Sequence, residues 1–339
     1  MTKKTIKRST RKKKSVRAKT TPAAQQQETF DVLVMATMSA GKSSFINALV
    51  GHELLPSGNE ATTACVTSIE HCSRAKYFRG TSYSHDGIRI GMQKNASLEQ
   101  VRSWNADEQV KHIRLSGKIG TGYSRRAARL VLHDTPGPNN SQDRRHAEVT
   151  LDALHTIPFK LLCYVLDAGQ MGTLDDQQLL AQLREQLDRH SGHRLVFILN
   201  KIDLLDRERG ELVSSHVEKA RHYLEQCGFQ QPIIVPTMSS LALYARKALN
   251  AQTLTRTEHS RLKHALDDLA VEQECLLHAA ALPDALKSGV RRRQAKAGKA
   301  GNRSARQPPA GDLVALQQVV LRSGIRTVEF LLNQPNIAA

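Results

Sequence analysis

From Phe30 onward, short apolar runs alternate with longer stretches of helical spacing. Residues 32–36 (VLVMA) form a continuous apolar run and are followed by a Gly-containing turn. Residues 43–50 then place Phe45, Ile46 and Leu49 on one helical face, which predicts strand, loop, helix. Further apolar runs at 129–133, 161–166, 195–199 and 233–235 each end in polar or Gly/Pro residues. Helical spacing is expected at 147–155, 175–189 and 210–226. Apolar runs without alternation are what strands buried on both faces require, so the pattern predicts an α/β fold with a mostly parallel, helix-covered sheet.

Other segments depart from this rhythm. About seventy residues lie between Thr63 and Asp134, with helical spacing at 98–110 and the alternation of an edge strand at 111–115. No role for this insertion follows from its residues. Beyond Ser240 the chain is strongly helical to about Ala281, then basic and rich in Gly, Ala and Pro, which predicts a flexible linker. A last amphipathic segment carries Leu313, Leu316, Val319 and Val320 at helical spacing and is interrupted by Ser323 and Gly324. The expected divisions are an arm at 1–28, an α/β domain at 29–250, a helical extension at 251–286, a linker at 287–311 and a short helical appendage at 312–339.

Charge sharpens this organisation. The 339-residue chain carries a net charge of +17, but ten lysines and arginines fall in the first twenty residues and eight more between Lys287 and Arg306, with no acid in either stretch. The remainder is close to neutral, so the charge belongs to two arms and not to the folded core. With almost nothing to bury, the first arm is expected to be disordered. Five cysteines without a CxxC pair or His/Cys ligand spacing predict neither a disulfide framework nor a structural zinc site. No apolar run approaches the about eighteen residues that span a bilayer, and a cytoplasmic location is expected.

Three motifs carry chemistry. AxxxxGKS at Ala36 to Ser43 has the form of a phosphate-binding loop whose first Gly is Ala. Backbone N–H groups around Ser39, Ala40, Gly41, Lys42, Ser43 and Ser44 would cradle phosphates at a helix N-terminus, Lys42 would neutralise β and γ oxygens, and the Ser43 hydroxyl would bind Mg²⁺. Asp134-Thr135-Pro136-Gly137 follows an apolar run; Asp134 would hold Mg²⁺ through water and the Gly137 N–H would meet the γ-phosphate. Asn200-Lys201-Ile202-Asp203 ends another run. A carboxylate at Asp203 accepts both the N1 and exocyclic amino protons of guanine, a pair adenine does not offer. Asn200 would tie this loop to the phosphate loop, and Lys201 would lie along the base. Order along the chain adds Thr63, with Thr62 as the alternative, for the Mg²⁺ shell and water, and the backbone N–H of Ser239 for the guanine oxygen.

With these elements placed, the chain resembles the bacterial members of the dynamin superfamily of GTPases over residues 30–250. The resemblance rests on MATMSAGKSSFINALVG, LLPSGNEATTA, LHDTPGPNN, VLDAGQM and FILNKIDLLD. DTPGPNN, VLDAGQMGTLDDQQ and MSS…YARKAL are similar to the clamp-binding, nucleoid-associated bacterial type. The resemblance implies GTP and Mg²⁺, G-domain dimerisation, and a partner in the form of a second dynamin-like subunit. It also implies that Ser39 holds a charge-compensating monovalent cation and Thr63 acts on the attacking water, since Pro138 stands where Ras-type enzymes carry Gln. Ser39, Lys42, Thr63 and Gly137 are thus the expected catalytic set. Met38 departs from the eukaryotic Gln, and about ninety residues after position 250 are too few for long stalk helices.

Two other readings fit the same residues. A GTP-regulated binding module would dock its basic arms on DNA, RNA or an anionic membrane, giving a nucleoid- or membrane-associated protein with little hydrolysis. A ribosome-assembly GTPase is also basic and also carries NKxD, but its phosphate loop has the form GxPNxGKS.

Overall fold

The computed structural model describes residues 28–56, 65–120, 128–137, 144–189, 194–206, 208–271, 276–303 and 311–334. In chain order the elements are β1 (Thr29–Ala36), α1 (Lys42–Val50), β2 (Val66–His71), β3 (Arg79–Tyr83), β4 (Arg89–Gln93), α2 (Leu98–Asn105) and β5 (His112–Gly117). Then follow β6 (Arg129–Asp134), α3 (Arg144–Thr156), β7 (Leu161–Asp167), α4 (Leu174–Arg189), β8 (Arg194–Asn200), a 3₁₀ turn (Ile202–Leu204), α5 (Val213–Gln226) and β9 (Ile234–Pro236). The chain closes with α6 (Ser239–Leu249), α7 (Arg256–Val271), α8 (Leu276–Ala279), α9 (Asp284–Arg303), α10 (Gly311–Arg322) and α11 (Ile325–Leu332).

One nine-stranded sheet runs in the order β4-β3-β5-β2-β6-β1-β7-β8-β9. Strands β6, β1, β7, β8 and β9 are mutually parallel, so the loops leaving their C-terminal ends gather along one edge. In open α/β sheets this edge is where ligands bind. Val32, Val34 and Ala36 of β1 pack into the cluster containing Phe45, Ile46 and Leu49 of α1, Ala242 of α6 and Ile325 of α11. Leu33 and Met35, of opposite parity, meet α3, α4 and α5 through Leu154, Leu183 and Val217. Burial on both faces explains the unbroken apolar runs.

The insertion extends this sheet. Strand β2 pairs antiparallel with β6 and parallel with β5, which in turn pairs with β3. Residues 111–115, expected as an edge strand, therefore contribute to an interior strand, and the edge is β4. Strands β2, β3 and β4 are additions that the apolar pattern does not reveal. Trp104 of α2 packs so closely on the extension that a Cβ at Gly80 would lie 2.7 Å from its Cζ3, and one at Gly91 would lie 3.0 Å from its Nε1. Glycine, usually a weak strand former, is required here to seat the indole.

The stretch expected as a linker from 287 is helical through Arg303 within α9. Ala, Lys, Arg and Gln are favourable helix formers, and Asp284 in the first turn complements the helix dipole. Residues 304–310 lie outside the described set, as does the basic arm at 1–27. The interruption at Ser323 and Gly324 separates α10 from α11, as the pattern predicts. These helices fold back on the α/β body. Arg246 of α6 donates to the Ala48 carbonyl of α1 and pairs with Glu329 of α11, and both charged side chains are almost fully buried. Lys247 bridges Glu53 at 2.7 Å and Glu258 of α7 at 2.8 Å. Among the described residues, no helix is long and apolar enough to cross a membrane.

Candidate functional site

The phosphate loop joins β1 to α1. Ser39 has φ 63° and Gly41 φ 90°, two left-handed residues that turn the chain so that Lys42 opens the helix. Ser39 is exposed, Ala40 is buried, and Gly41, Lys42, Ser43 and Ser44 are half-buried at the helix N-terminus. A left-handed Ser is uncommon and is sustained only where its surroundings dictate the backbone. The following helix directs its unpaired N–H groups and positive dipole end at the loop.

Asp134, at the end of β6, accepts a hydrogen bond and ion pair from Lys42 Nζ. Burial raises the Asp134 pKa above the ordinary carboxylate value while the Lys42 charge pulls it down. Thr135 donates to the Val34 carbonyl at 3.0 Å, fixing the turn against β1. A Cβ at Gly137 would stand 3.4 Å from Met38 N, so the DTPG turn lies directly against the phosphate loop. Thr150 of α3 donates to the Pro136 carbonyl at 2.6 Å. Thr62, Thr63 and Pro138 lie outside the described residues.

Asn200 is the hub between loops. Its amide nitrogen donates to the Ala40 carbonyl at 3.1 Å, while its oxygen accepts from Thr237 Oγ1 at 3.1 Å and from the Ser239 N–H at 3.2 Å. One side chain thus links the loops after β1, β8 and β9. The Ser239 N–H, expected at the guanine oxygen, donates to the Asn200 side chain, which places it in the same loop cluster as Asp203. Lys201, with φ 65°, donates from Nζ to Asp167 Oδ2 at 2.6 Å at the end of β7. That contact anchors the ammonium. Asp203 has only 6% of its side chain exposed and accepts at Oδ2 from Arg261 Nη2 of α7 at 2.6 Å. Burial raises the Asp203 pKa, opposed by the Arg261 and Lys201 charges.

Asp167, Thr237 and Arg261 were not singled out by sequence reasoning. Asp167 had a signal, a polar residue ending an apolar run as Asp134 and Asn200 do. Arg261 had none, being 58 residues from its partner. Among the described residues no group of three or more His, Cys, Asp or Glu side chains forms a metal cage. The four described cysteines Cys65, Cys72, Cys163 and Cys227 are free thiols.

A second polar assembly lies on the opposite sheet face. Asp31 Oδ1 contacts His133 Nε2 at 2.8 Å, and Ser68 Oγ lies 2.8 Å from both His133 Nδ1 and His112 Nε2. These groups line a cleft of about 1070 Å³ between the sheet and α3, away from the phosphate loop. Burial acts to raise Asp31, but hydrogen bonds from His133 and Thr29 and the charges of His133 and Lys160 leave its pKa lowered. His133→Leu strands this carboxylate, with an expected loss of about 3 kcal/mol in equilibrium denaturation. The depressed carboxyl contributes stability that is fully present above its ordinary value of 3.8 and lost as pH falls through the lowered native value. In His133→Leu this acid limb should flatten.

Comparison with known proteins follows the motifs. Residues 32–202 match the family model described as the dynamin family. The dynamin-1-like protein of Caenorhabditis elegans is 25% identical over 204 residues, covering 52% of this chain and 27% of the nematode protein. Two chains from structures of an oligomerised bacterial dynamin pair, described as sensing and tethering membranes, give TM-scores of 0.48 and 0.46 at 17% and 14% identity. They are matched over 73% and 75% of this chain and 46% and 49% of their own. The chain therefore spans about a quarter of the curated relative and about half of each solved chain.

Proposed function

Because the chain belongs to the dynamin family, we propose that it binds GTP with Mg²⁺ and hydrolyses it to GDP and phosphate, with hydrolysis stimulated by pairing of two G domains. The observation that carries this reading is the Asn200 hub, which holds the phosphate loop and the Asp203 loop in one rigid frame. Triphosphate and base must be gripped at a fixed separation, and this link sets it.

The donors suit Mg²⁺. The ion takes few protein ligands and keeps phosphate and water oxygens, so a hydroxyl from Ser43 and a carboxylate from Asp134 fit it better than an all-protein cage would. Asp134 accepts from the Lys42 ammonium beside the phosphate loop, so its carboxylate stands where a cation is held. Bound there with Thr63, Mg²⁺ would neutralise charge on the β and γ oxygens. Lys42 grips the phosphates, the Gly137 N–H meets the γ-phosphate, and Ser44 with Ser39, Ala40 and Gly41 supplies loop N–H groups. Ser39 holds a monovalent cation and Thr63 orients water. Asn200 and Ser239 brace the base loop, Lys201 flanks the base, and Asp203 reads its guanine edge.

GTP turnover at increasing protein concentration is expected to show rising specific activity, with Ser39→Ala and Thr63→Ala each about a hundredfold slower. Flat specific activity would remove the pairing step. The exposed Arg291, Arg292 and Arg293 on α9 also support a polyanion-docking role, on nucleic acid or anionic membrane. Salt-sensitive co-sedimentation with DNA or anionic liposomes should fall when these three are changed to Ala, and unchanged sedimentation would remove that role. Pairing with a second dynamin-like subunit, and the clamp-binding, nucleoid-associated subtype, rest on the sequence resemblance.

A further inference from the structure

Arg261 occupies a chemically informative position. The edge of guanine read by a carboxylate, N1–H beside the C2 amino group, is itself part of a guanidine unit: planar, with neighbouring N–H donors. The arginine side chain presents the same donor arrangement with a positive charge added. Arg261 Nη2 donates to Asp203 Oδ2 at 2.6 Å, and Asp203 keeps only 6% of its side chain exposed beneath this contact.

The placement is fixed by packing. Thr255 and Glu258 form a reciprocal cap at the start of α7, with Thr255 N–H to Glu258 Oε2 at 2.7 Å and Glu258 N–H to Thr255 Oγ1 at 3.3 Å. Glu258 also holds Lys247 of α6. Leu262, the next residue after Arg261, is buried with Leu241 and Ala245 of α6 and Leu316, Val319 and Val320 of α10. The Arg261 guanidinium also lies 6.0 Å from the centre of the Tyr244 ring. Helix α7 thus delivers a guanidinium to the carboxylate of Asp203.

We propose that Arg261 is an intramolecular competitor for guanine, so that a nucleotide must displace it from Asp203 and helix α7 thereby lowers the affinity for GTP and GDP. The proposal rests on the reading of Asp203 as the guanine acceptor. The base edge needs both carboxylate oxygens in one plane, and Arg261 already donates to one of them where only 6% of the Asp203 side chain is exposed, so guanidinium and guanine compete for the same approach to Oδ2. Apparent affinity is the intrinsic affinity reduced by the fraction of molecules in which the acceptor is released. The Tyr244 ring, whose centre lies 6.0 Å from the guanidinium, offers Arg261 a second, cation–π partner.

The test is equilibrium binding of GTP, GDP and inorganic tripolyphosphate to the full chain carrying Arg261→Gln, Arg261→Ala or Arg261→Lys, each checked by circular dichroism and thermal melting. Arg261→Gln and Arg261→Ala are expected to bind GTP and GDP about tenfold more tightly, with tripolyphosphate unchanged. Arg261→Lys, which keeps charge but loses the planar donor pair, should fall between them and wild type. Unchanged or weaker GTP binding in a folded Arg261→Gln protein would overturn the proposal. So would an equal gain for tripolyphosphate, which has no base edge to compete. Failure of the underlying reading is separable, because then Asp203→Ala would bind GTP as well as wild type does.

Discussion

Lys42→Ala is expected to lower kcat/KM for GTP by about a thousandfold, roughly 4 kcal/mol of transition-state stabilisation. The ammonium stands at the first residue of α1, where helix dipole and loop N–H groups already favour anions, and it faces Asp134. Removing it takes a positive charge from the triphosphate and strands a carboxylate whose pKa burial already raises. Both effects act in one direction: the site becomes more negative where a polyanion must enter. Lys42→Arg should recover little, because a planar fork cannot replace a compact ammonium at this depth. Steady-state kinetics with direct GTP binding would separate the loss of affinity from the loss of turnover.

Gly41→Ala is expected to weaken nucleotide binding by about a hundredfold and to lower stability by about 3 kcal/mol. Gly41 has φ 90°, a conformation an alanine adopts at a cost of about 1 to 2 kcal/mol. The added Cβ would lie 2.4 Å from Asn200 Nδ2. Asn200 would have to withdraw, leaving the Ala40 carbonyl and the Ser239 N–H without the partner that joins them. Three loops would lose register through one methyl group. Isothermal titration with GDP and thermal melting would read both consequences, and Asn200→Ala should reproduce the binding loss without the backbone cost.

The strands nearest the site were legible because their neighbours bury both faces. Runs such as VLVMA, LLCYVL and FIL announce β1, β7 and β8, and they lead into the phosphate loop, Asp167 and Asn200. The extension was not legible for the converse reason. Strand β2 reads VTSIEH, with Ser68 and Glu70 on a polar face, and β3 and β4 contain the glycines that admit Trp104. His133 and Asp31 sit inside apolar runs, yet nothing local says that they meet across 102 residues. The motif residues were readable from spacing; their partners Thr237 and Arg261 were not, because tertiary folding chooses them, and Asp167 offered only its place at the end of an apolar run. The helical course of 287–303 was hidden by its glycines, although its Lys, Arg, Gln and Ala are good helix formers.

The central claim is that Asp203 reads guanine within a frame held by Asn200. Competition binding of GTP, ATP and XTP to the wild-type chain and to Asp203→Asn tests it directly. A carboxylate accepts two protons from guanine, whereas an Asn amide accepts one and donates one, matching xanthine, which bears a carbonyl in place of the amino group. Wild type should prefer GTP to ATP by about 10⁴-fold, and Asp203→Asn should lose GTP and gain XTP. Equal or tighter binding of ATP by the wild type, or undiminished GTP binding by Asp203→Asn, would contradict it.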